Sequence, residues 1–474
     1  MNKNIIGRKQ EISKLQELYK SNRPEFVAVF GRRRVGKTFL VRQLFEKEFV
    51  FDLAGLAKGG LKKQLLNFSF ALKQVTDTDF SIPNSWLEAF ELLISYLKTC
   101  DKKRKVIFID EISWLDTHKS DFLTALEHFW NGWACSKRDI MLIVCGSATS
   151  WIVNNLINNR GGLYNRITAQ MELLPFTLYE TELFLKSKNI HWSHYQIAEC
   201  YMIMGGIPYY LEKLKQGSSV PQNIDQIFFA KNADLKNEFK RLFDSLFNHS
   251  ENYEKFVKTL ANNRYGLTRK ELLEKTGMKS GNKVTTILNN LEYSGFIRSY
   301  SQPTKKTEVI YQLVDSFCLF YFQFMHENNF RDEKFWTNTI NTPQHNNWTG
   351  LSFEIVCLLH VKEIKKKLQV FGVQSSEFAW RSKNENFNVQ IDLLLDRADN
   401  IVNVCEIKYS KLPYIIDKDY EEKLRTKVEI FRQEVLPHKA IHLLMITTFG
   451  IKQNKYSGIV QNEITLDDLF VKIF

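Results

Sequence analysis

The sequence lacks the features of a secreted, membrane-spanning or disulfide-stabilised protein. Its 474 residues include only seven cysteines, an odd number, and no two of them are spaced C-x-x-C. This usage is typical of small buried residues in a reducing compartment. Met1–Asn4 opens no apolar segment and no run approaches about 18 apolar residues. We therefore expect no signal peptide, no membrane span and a cytoplasmic location.

Length and composition indicate a globular protein with a basic surface. The chain is too long for one ordinary core, and we expect about two to four domains. Its 44% hydrophobic and 25% charged residues are ordinary globular values. The net charge of +12 favours an anionic partner, nucleic acid first, or equally a solvated basic surface without a partner.

The segment Gly31–Thr38 reads G-x-x-x-x-G-K-T, the phosphate-binding loop of P-loop NTPases. The apolar run Phe26–Phe30 precedes it as a predicted buried strand, and Phe39–Phe45 follows with a helical pattern. This order aims backbone N–H groups and a helix N-terminus at one pyrophosphate. Lys37 would reach the β- and γ-phosphates, and Thr38 would hold Mg²⁺. The residues predicted to bind the nucleotide are Gly31, Arg34, Gly36, Lys37, Thr38, Phe39, Asp110 and Ser147.

A second motif, Val106–Glu111, is an apolar strand that ends in two acids. Its continuous apolar character is typical of a parallel strand buried on both faces. Asp110 would hold Mg²⁺ beside the nucleotide, and Glu111 would polarise the attacking water as a general base. The alternative is a strand that merely ends in an acidic turn.

A third predicted strand, Ile140–Cys145, is followed by the polar residues Ser147 and Thr149. Either residue could sense the γ-phosphate through a hydrogen bond. Equally, either could cap the helix that begins near Trp151. The sequence leaves both interpretations open.

Two arginines, Arg160 and Arg166, lie on a glycine-rich loop shortly after this strand. They are candidate arginine fingers, Arg166 first, and the alternative is pairing with a surface carboxylate. Helical patterns begin after Pro175. The segment Gly205–Leu211 interrupts them with two glycines and places Pro208 in a first helical turn.

Together these motifs resemble the archaeal-type AAA ATPase family of prokaryotes, a branch near the signal-transduction ATPases, over about the first half of the chain. The resemblance implies an α/β P-loop core with a helical lid, ATP and Mg²⁺ as cofactors, and a homo-oligomer if the arginine finger acts in trans. It also implies that the segment from Ile6 through the following amphipathic helix packs beside the adenine.

Residues 250–312 have the order of a winged helix-turn-helix. The predicted helices are Tyr253–Leu260, Thr268–Thr276 and Val284–Ser294, and the predicted hairpin strands are Phe296–Tyr300 and Val309–Leu313. Thr268 and Glu271 form a capping box, and Gly295 ends the third helix. Residues 302–307 would be the wing.

The charge of the same region favours DNA as a partner. Residues 241–312 contain twelve Lys or Arg against seven Asp or Glu, a net charge of +5. Phosphate contacts would come from Lys279, Lys283, Lys305 and Lys306. The third helix carries Asn282, Asn289 and Asn290 but no arginine to read guanine. A winged helix that serves only as an internal packing module is the alternative.

The C-terminal region carries a second group of polar residues on predicted strands. Residues 390–395 and 401–408 form a hairpin, and a turn centred on Asp399 places Asp392 opposite Glu406. Lys408 shares a face with Glu406 because strand side chains alternate. The two carboxylates could hold Mg²⁺ while Lys408 orients or activates water, and Glu354, near the start of a predicted helix, could add a third carboxylate.

This arrangement resembles the PD-(D/E)xK, restriction-endonuclease-like fold over roughly residues 350–450. The usual proline before the first aspartate is absent, since Gln390-Ile391 stands there. The resemblance implies an α/β nuclease-like domain of the kind that accompanies this ATPase family. The alternative is a cross-strand salt bridge on a solvated face.

These observations predict four segments. They are an ATPase core at 1–174, a helical lid at 175–245, a winged helix at 246–315, and a connector helix with the nuclease-like domain at 316–474. Two hypotheses remain open. In one, the ATPase controls a Mg²⁺-dependent nuclease acting on DNA; in the other, the protein is a nucleotide-gated regulator whose nuclease-like domain binds but does not cut.

Overall fold

A computed structural model describes residues 5–78, 81–158, 161–302, 305–382, 389–435 and 438–473. The chain forms two compact units, Met1–Pro175 and Phe176–Phe474. The three segments predicted downstream of residue 174 thus fall within one compact unit. Among the described helices, none has the length and apolar character needed to cross a membrane.

The first unit is built on a five-stranded parallel sheet with interspersed helices. The strands are β1 Glu25–Phe30, β2 Phe49–Ala54, β3 Lys105–Asp110, β4 Ile140–Gly146 and β5 Ala169–Glu172. The helices are α1 Lys9–Lys20, α2 Lys37–Phe45, α3 Leu61–Thr76, α4 Trp86–Thr99, α5 Phe122–Gly132 and α6 Thr149–Ile152. The α/β core with a parallel sheet is therefore confirmed.

The strand order β2-β3-β4-β1-β5 determines where the predicted motifs lie. All five strands are parallel, and every residue of β1 and β4 is buried. Apolar strands of this kind are stable only when both faces are covered. Because β4 lies between β1 and β3, the segments that follow these three strands meet at one carboxyl edge of the sheet.

The second unit begins with helices. These are α7 Leu178–Ser187, α8 His194–Met204, α9 Pro208–Leu211, α10 Val220–Ile224 and α11 Glu238–Leu246. Gly205 and Gly206 both have positive φ, and Pro208 opens α9 as predicted. A Cβ on Gly206 would lie 2.2 Å from the carbonyl oxygen of Phe176, so the close approach requires glycine. The role of this segment as a lid stays a prediction.

Three helices and a three-stranded antiparallel sheet follow, in the order predicted. They are α12 Ser250–Ala261, β6 Leu267–Thr268, α13 Arg269–Thr276, α14 Asn282–Tyr293, β7 Ile297–Gln302 and β8 Lys305–Leu313. The capping box of Thr268 and Glu271 and the positive φ of Gly295 are confirmed. The hairpin strands extend into the predicted wing because β7 and β8 remain paired as far as Gln302 and Lys305.

The remaining chain forms a helical connector and a mixed sheet. Its elements are α15 Ser316–Phe320, α16 Phe335–Thr339, α17 Pro343–Leu359, α18 Val361–Lys367, β9 Ser375–Arg381, β10 Gln390–Arg397, β11 Ile401–Lys408, α19 Lys418–Val435, β12 Ala440–Thr447 and β13 Asn462–Thr465. The sheet order is β13-β12-β11-β10-β9, with β9, β10 and β11 antiparallel and β11, β12 and β13 parallel.

Two sequence predictions in this region are tested by the packing. The segment predicted as a connector helix packs into the core through the buried side chains of Phe317, Phe320 and Phe324. The prediction that a helix begins at residue 350 was wrong. Instead α17 begins at Pro343, because the Thr342 hydroxyl accepts a hydrogen bond from the His345 backbone N–H and Pro343 suits a first turn.

We predict that Gly206→Ala destabilises the protein more than Gly217→Ala. Both glycines have positive φ, but a Cβ at Gly217 meets nothing within 4 Å. Gly217→Ala should cost about 1–2 kcal/mol from backbone conformation alone. Gly206→Ala should cost about 1–3 kcal/mol more because it overlaps a backbone oxygen. Equal melting temperatures of the two variants by circular dichroism would contradict the close approach.

Candidate functional site

The P-loop of the first unit takes a backbone shape that depends on its two glycines. Gly31 has a φ of 135°, and a Cβ there would lie 2.3 Å from the Leu173 carbonyl oxygen. Gly36, with a φ of 93°, is the N-cap of α2. Arg34 also has a positive φ, 74°. The loop therefore leads directly into the N-terminus of α2, where unpaired N–H groups favour an anion.

Lys37 places a buried ammonium group inside this loop. Its Nζ donates hydrogen bonds to the carbonyl oxygens of Gly31, at 2.8 Å, and Arg32, at 2.9 Å. Burial lowers the pKa of Lys37, while Cys145, Glu111 and Asp110 oppose that shift. Phe39 lies in the first turn of α2, and its side chain is 50% exposed. Its contact with a nucleotide stays a prediction.

The hydroxyl of Thr38 contacts the end of the acidic strand. Thr38 Oγ1 donates to Asp110 Oδ2 at 2.8 Å, and the backbone N–H of Glu111 donates to Asp110 Oδ1 at 2.9 Å. Asp110 is buried at the last position of β3. The Thr38 hydroxyl and the Asp110 carboxylate thus place two hard oxygen ligands next to each other. Mg²⁺ prefers ligands of this kind.

Glu111 and Ser147 come together at the same edge. Ser147 Oγ donates to the Glu111 carboxylate at 3.0 Å, and the Ser147 backbone N–H donates to Glu111 Oε2 at 3.2 Å. The N-cap of α6 is Ala148, with no side-chain capping bond. The interpretation of Ser147 or Thr149 as a helix cap was therefore wrong, because the Ser147 hydroxyl is used by Glu111.

Of the two predicted arginine fingers, the structure describes only Arg166. Arg166 is exposed on a turn, and within the described ranges it forms no ion pair with a carboxylate. Arg160 lies outside the described residues. The sequence assigned no role to the Arg8 side chain, yet it is buried and its Nη2 donates to the Val35 carbonyl oxygen at 3.3 Å. Only the helix-flanking position of Arg8 hinted at this contact.

The second group of polar residues lies on β10 and β11 of the second unit. Leu393 pairs with Cys405 and Asp396 with Val402, which confirms a hairpin centred on Asp399. The same register, continued by one residue, places Asp392 across from Glu406. The geometry predicted for these two carboxylates is thus present.

Glu406 is ion-paired rather than open to solvent. Its carboxylate lies 2.8 Å from Lys408 Nζ and 2.6 Å from Lys427 Nζ, and the Tyr420 hydroxyl donates to it at 2.5 Å. Burial raises the pKa of Glu406, but the two lysines outweigh it and hold the pKa at about 2. The expected salt bridge between Lys408 and an acid exists; its Glu406 carboxylate is buried, and the Lys408 side chain is 33% exposed.

Lys408 therefore acts as a cation here. Burial lowers its pKa, but Glu406 outweighs burial, and the pKa lies above the usual range. A protonated lysine can orient water and phosphate but cannot take a proton from water, which favours orienting the water over activating it, the two roles predicted for Lys408. Sequence reasoning missed Tyr420 and Lys427, which are seven residues apart and so share one face of α19.

Glu354 and Asp392 line one small cavity, and there the nearby cations do not outweigh burial. Burial and then Asp392 raise the pKa of Glu354 to about 9. Burial and then Glu406 raise that of Asp392 to about 6. In the part of the chain that the structure describes, no three His, Cys, Asp or Glu side chains form a metal-binding group. Two acids are nonetheless enough for Mg²⁺ when substrate phosphate completes its shell.

The helix α14 exposes a polar face. Five of its residues point to solvent, namely Asn282, Lys283, Thr285, Thr286 and Asn289. The Arg269 guanidinium donates to Thr285 Oγ1 at 3.1 Å and to the Gly281 carbonyl oxygen at 3.2 Å. Asn290 instead bonds the Tyr253 hydroxyl, so it is not available as a base-reading residue. The side chains of Lys305 and Lys306 lie outside the described residues.

Comparison with known proteins agrees with the first site. Residues 5–214 match the family model of an ATPase domain found predominantly in Archaea. An uncharacterized protein of Methanocaldococcus jannaschii is 26% identical over 440 residues, which span 91% of this chain and 92% of that protein. The matched ATPase domain, together with the P-loop, assigns ATPase activity to this protein.

Two solved structures are also similar. The Walker-type ATPase of Pyrococcus abyssi aligns with a TM-score of 0.48 and 18% identity, over 68% of this chain and 96% of that chain. The ORC2 protein of Aeropyrum pernix, in ADPNP–ADP complexes, aligns with a TM-score of 0.41 and 11% identity, over 76% of this chain and 97% of that chain.

We predict that Lys427→Met destabilises the protein by about 1–3 kcal/mol, because it leaves the buried Glu406 carboxylate with one fewer cation. The double variant Glu406→Gln with Lys427→Met should lose less than the sum of the two single variants. Lys423→Met, at an exposed position of the same helix, serves as the control. Additive losses in chemical denaturation would contradict the coupling.

Proposed function

We propose that this ATPase is a nucleotide-controlled protein that acts on DNA. The observation that carries the ATPase part is the meeting of Thr38 with Asp110 and of Glu111 with Ser147 at one edge of the sheet, beside the P-loop. Phosphate binding, metal binding and water activation each need a different side chain. Lys37, the pair Thr38 and Asp110, and Glu111 would supply them at this one edge of the sheet.

The roles of these residues follow from their chemistry. The N–H groups at the start of α2 and the Lys37 ammonium bind the phosphates, so Lys37 exchanges its carbonyl partners for phosphate oxygens. Thr38 and Asp110 would hold Mg²⁺, which neutralises phosphate charge when bound. Glu111 accepts a proton from the water whose oxygen attacks the γ-phosphorus. The bond between that phosphorus and the bridging oxygen breaks, and ADP leaves with the electron pair.

Ser147 could make the position of the Glu111 carboxylate depend on whether a γ-phosphate is bound. Its hydroxyl donates to the Glu111 carboxylate. A bound γ-phosphate would compete for that hydroxyl and release the Glu111 carboxylate for water. Ser147 is therefore proposed as the residue that senses the γ-phosphate.

We assign the segments of the second unit to a helical lid at 175–245, a winged helix at 246–315 and a nuclease-like domain from 316. The order α12, α13, α14 and the β7–β8 hairpin supports the winged helix. Exposed Lys279 and Lys283 beside the polar face of α14 support contact with DNA phosphates. This face lacks arginine, so we expect binding with little sequence preference.

A second candidate function is cleavage of a phosphodiester bond at the β10–β11 site. It is favoured by the β10–β11 register, which when continued by one residue sets Asp392 across from Glu406, and by the half-buried cation Lys408 paired with Glu406. Glu354 and Asp392 would hold Mg²⁺, which would supply positive charge to the scissile phosphate when bound. Lys408 would orient the attacking water or the phosphate. The alternative, a domain that binds but does not cut, remains the second outcome of the test.

For the ATPase site, we predict that Glu111→Gln lowers kcat by about 10²–10⁴-fold, because the general base is lost while the phosphate-binding groups remain. Its affinity for a fluorescent ATP analogue should stay within a few-fold, whereas Lys37→Ala should lose binding. Phosphate release measures turnover, and Glu91→Gln, exposed on α4, is the matched control. Unchanged turnover in Glu111→Gln would refute its role.

For DNA contact, we predict that Lys283→Ala weakens binding to duplexes of different sequence about equally. The slope of log affinity against log salt should fall in magnitude by about 1, because one phosphate contact is lost. Fluorescence anisotropy over a salt series measures both. Lys98→Ala removes an exposed charge from α4 and should change neither. A slope equal to that of the wild type would exclude α14 from the interface.

For the nuclease site, we predict that the protein nicks supercoiled plasmid in Mg²⁺ or Mn²⁺ and that Asp392→Asn abolishes nicking while ATP hydrolysis continues. Asp396→Asn lies on the same strand, where Asp396 bonds Lys439, and should still cut. If the wild type does not cleave with any metal or nucleotide, and variants that widen the Glu354–Asp392 cavity do not cleave either, the nuclease is excluded. The binding-only alternative then holds.

A further inference from the structure

The Glu354–Asp392 cavity is closed by residues from a different segment of the second unit. Arg264 and Tyr265, in the loop between α12 and β6, line it together with both acids. Its volume is about 20 Å³, which accommodates about one water molecule. A phosphodiester with its flanking sugars cannot enter a space of this size.

The charges in the cavity explain why Arg264 is held there. Arg264 is the cation that the loop presents to the two half-buried acids. Burial lowers its pKa and the negative charge of Glu354 opposes that shift. Arg264 thus supplies part of the positive charge that a bound metal ion would supply.

The β7–β8 hairpin anchors this loop through its backbone. Gln312 Nε2 donates to the Arg264 carbonyl oxygen at 2.8 Å, and the Tyr300 hydroxyl donates to the Tyr265 carbonyl oxygen at 2.9 Å. Arg298 Nε in turn donates to Gln312 Oε1 at 2.8 Å. Tyr300 also packs against the apolar core of the C-terminal sheet. The hairpin therefore holds the loop in the closed position.

We propose that Arg264 and Tyr265 form a plug that closes the Glu354–Asp392 site, and that the plug must withdraw before a nucleic-acid phosphate can reach these acids. Tyr265 is 40% exposed, so its outer face already meets solvent. Because the plug is anchored to the hairpin of the proposed winged helix, a ligand that displaces the hairpin also opens the site. The part concerning cleavage rests on the proposed nuclease function.

The test measures access to the acids separately from catalysis. Carbodiimide and glycine amide label reachable carboxylates, and peptide mass spectrometry reads Glu354 and Asp392. The double variant Arg264→Ala with Tyr265→Ala should raise their labelling at least tenfold over the full-length wild type. Lys270→Ala removes an exposed charge just beyond the loop and should leave labelling unchanged.

A milder variant keeps the test decisive if the double variant does not fold. Tyr300→Phe removes only the hydrogen bond to the Tyr265 carbonyl oxygen. It should raise labelling about two- to tenfold, the change in open population expected from losing one hydrogen bond. Circular dichroism establishes that each variant is folded. Labelling at the wild-type rate in the folded variants would overturn the plug.

Plasmid nicking on the same variants separates the two proposals. Faster nicking with increased labelling supports both the plug and the nuclease. Increased labelling without nicking in any variant supports the plug and excludes the nuclease. Nicking at the wild-type rate with unchanged labelling overturns the plug while the nuclease stands.

Discussion

The ATPase site depends on one constraint, the position of β4 between β1 and β3 in a parallel sheet. Each strand ends at the same edge, so residues far apart in sequence become neighbours without any long side chain having to reach. Thr38 follows the loop after β1, Asp110 ends β3 and Ser147 follows β4. Close packing at Gly31, where no Cβ fits against Leu173, holds the loop at that edge.

At the second site, on β10 and β11, the charges around the carboxylates determine which acids are stabilised. A carboxylate buried without cations is costly, and Glu406 avoids that cost through Lys408 and Lys427. At Glu354 and Asp392 the nearby cations do not outweigh burial, so the pKa values of both acids are raised. The second site therefore contains one ion-paired acid, Glu406, beside two acids whose pKa values are raised. This contrast is a property of the packing of α17, β10, β11 and α19.

Sequence reasoning succeeded where a signal is local in the chain. The P-loop glycines, the capping box at Thr268 and the turn centred on Asp399 each specify backbone conformation over a few residues. It failed where partners come from distant segments. Lys427 lies 21 residues beyond Glu406 on a helix whose docking no motif announces. Helix α17 begins at Pro343, seven residues before the start predicted at Gly350. The prediction gave more weight to Gly350 as a helix boundary than to the capping residue Thr342.

By itself, the sequence determined that a phosphate loop and an acidic strand are present, and that β10 and β11 pair with Asp392 across from Glu406. These features follow from short-range stereochemistry and strand alternation. Only the tertiary structure decided that Ser147 bonds Glu111 rather than capping a helix, and that Glu406 is neutralised by α19. The reason is physical: pairing, burial and access depend on which surfaces pack together, and the free energy of that choice is distributed over the whole core.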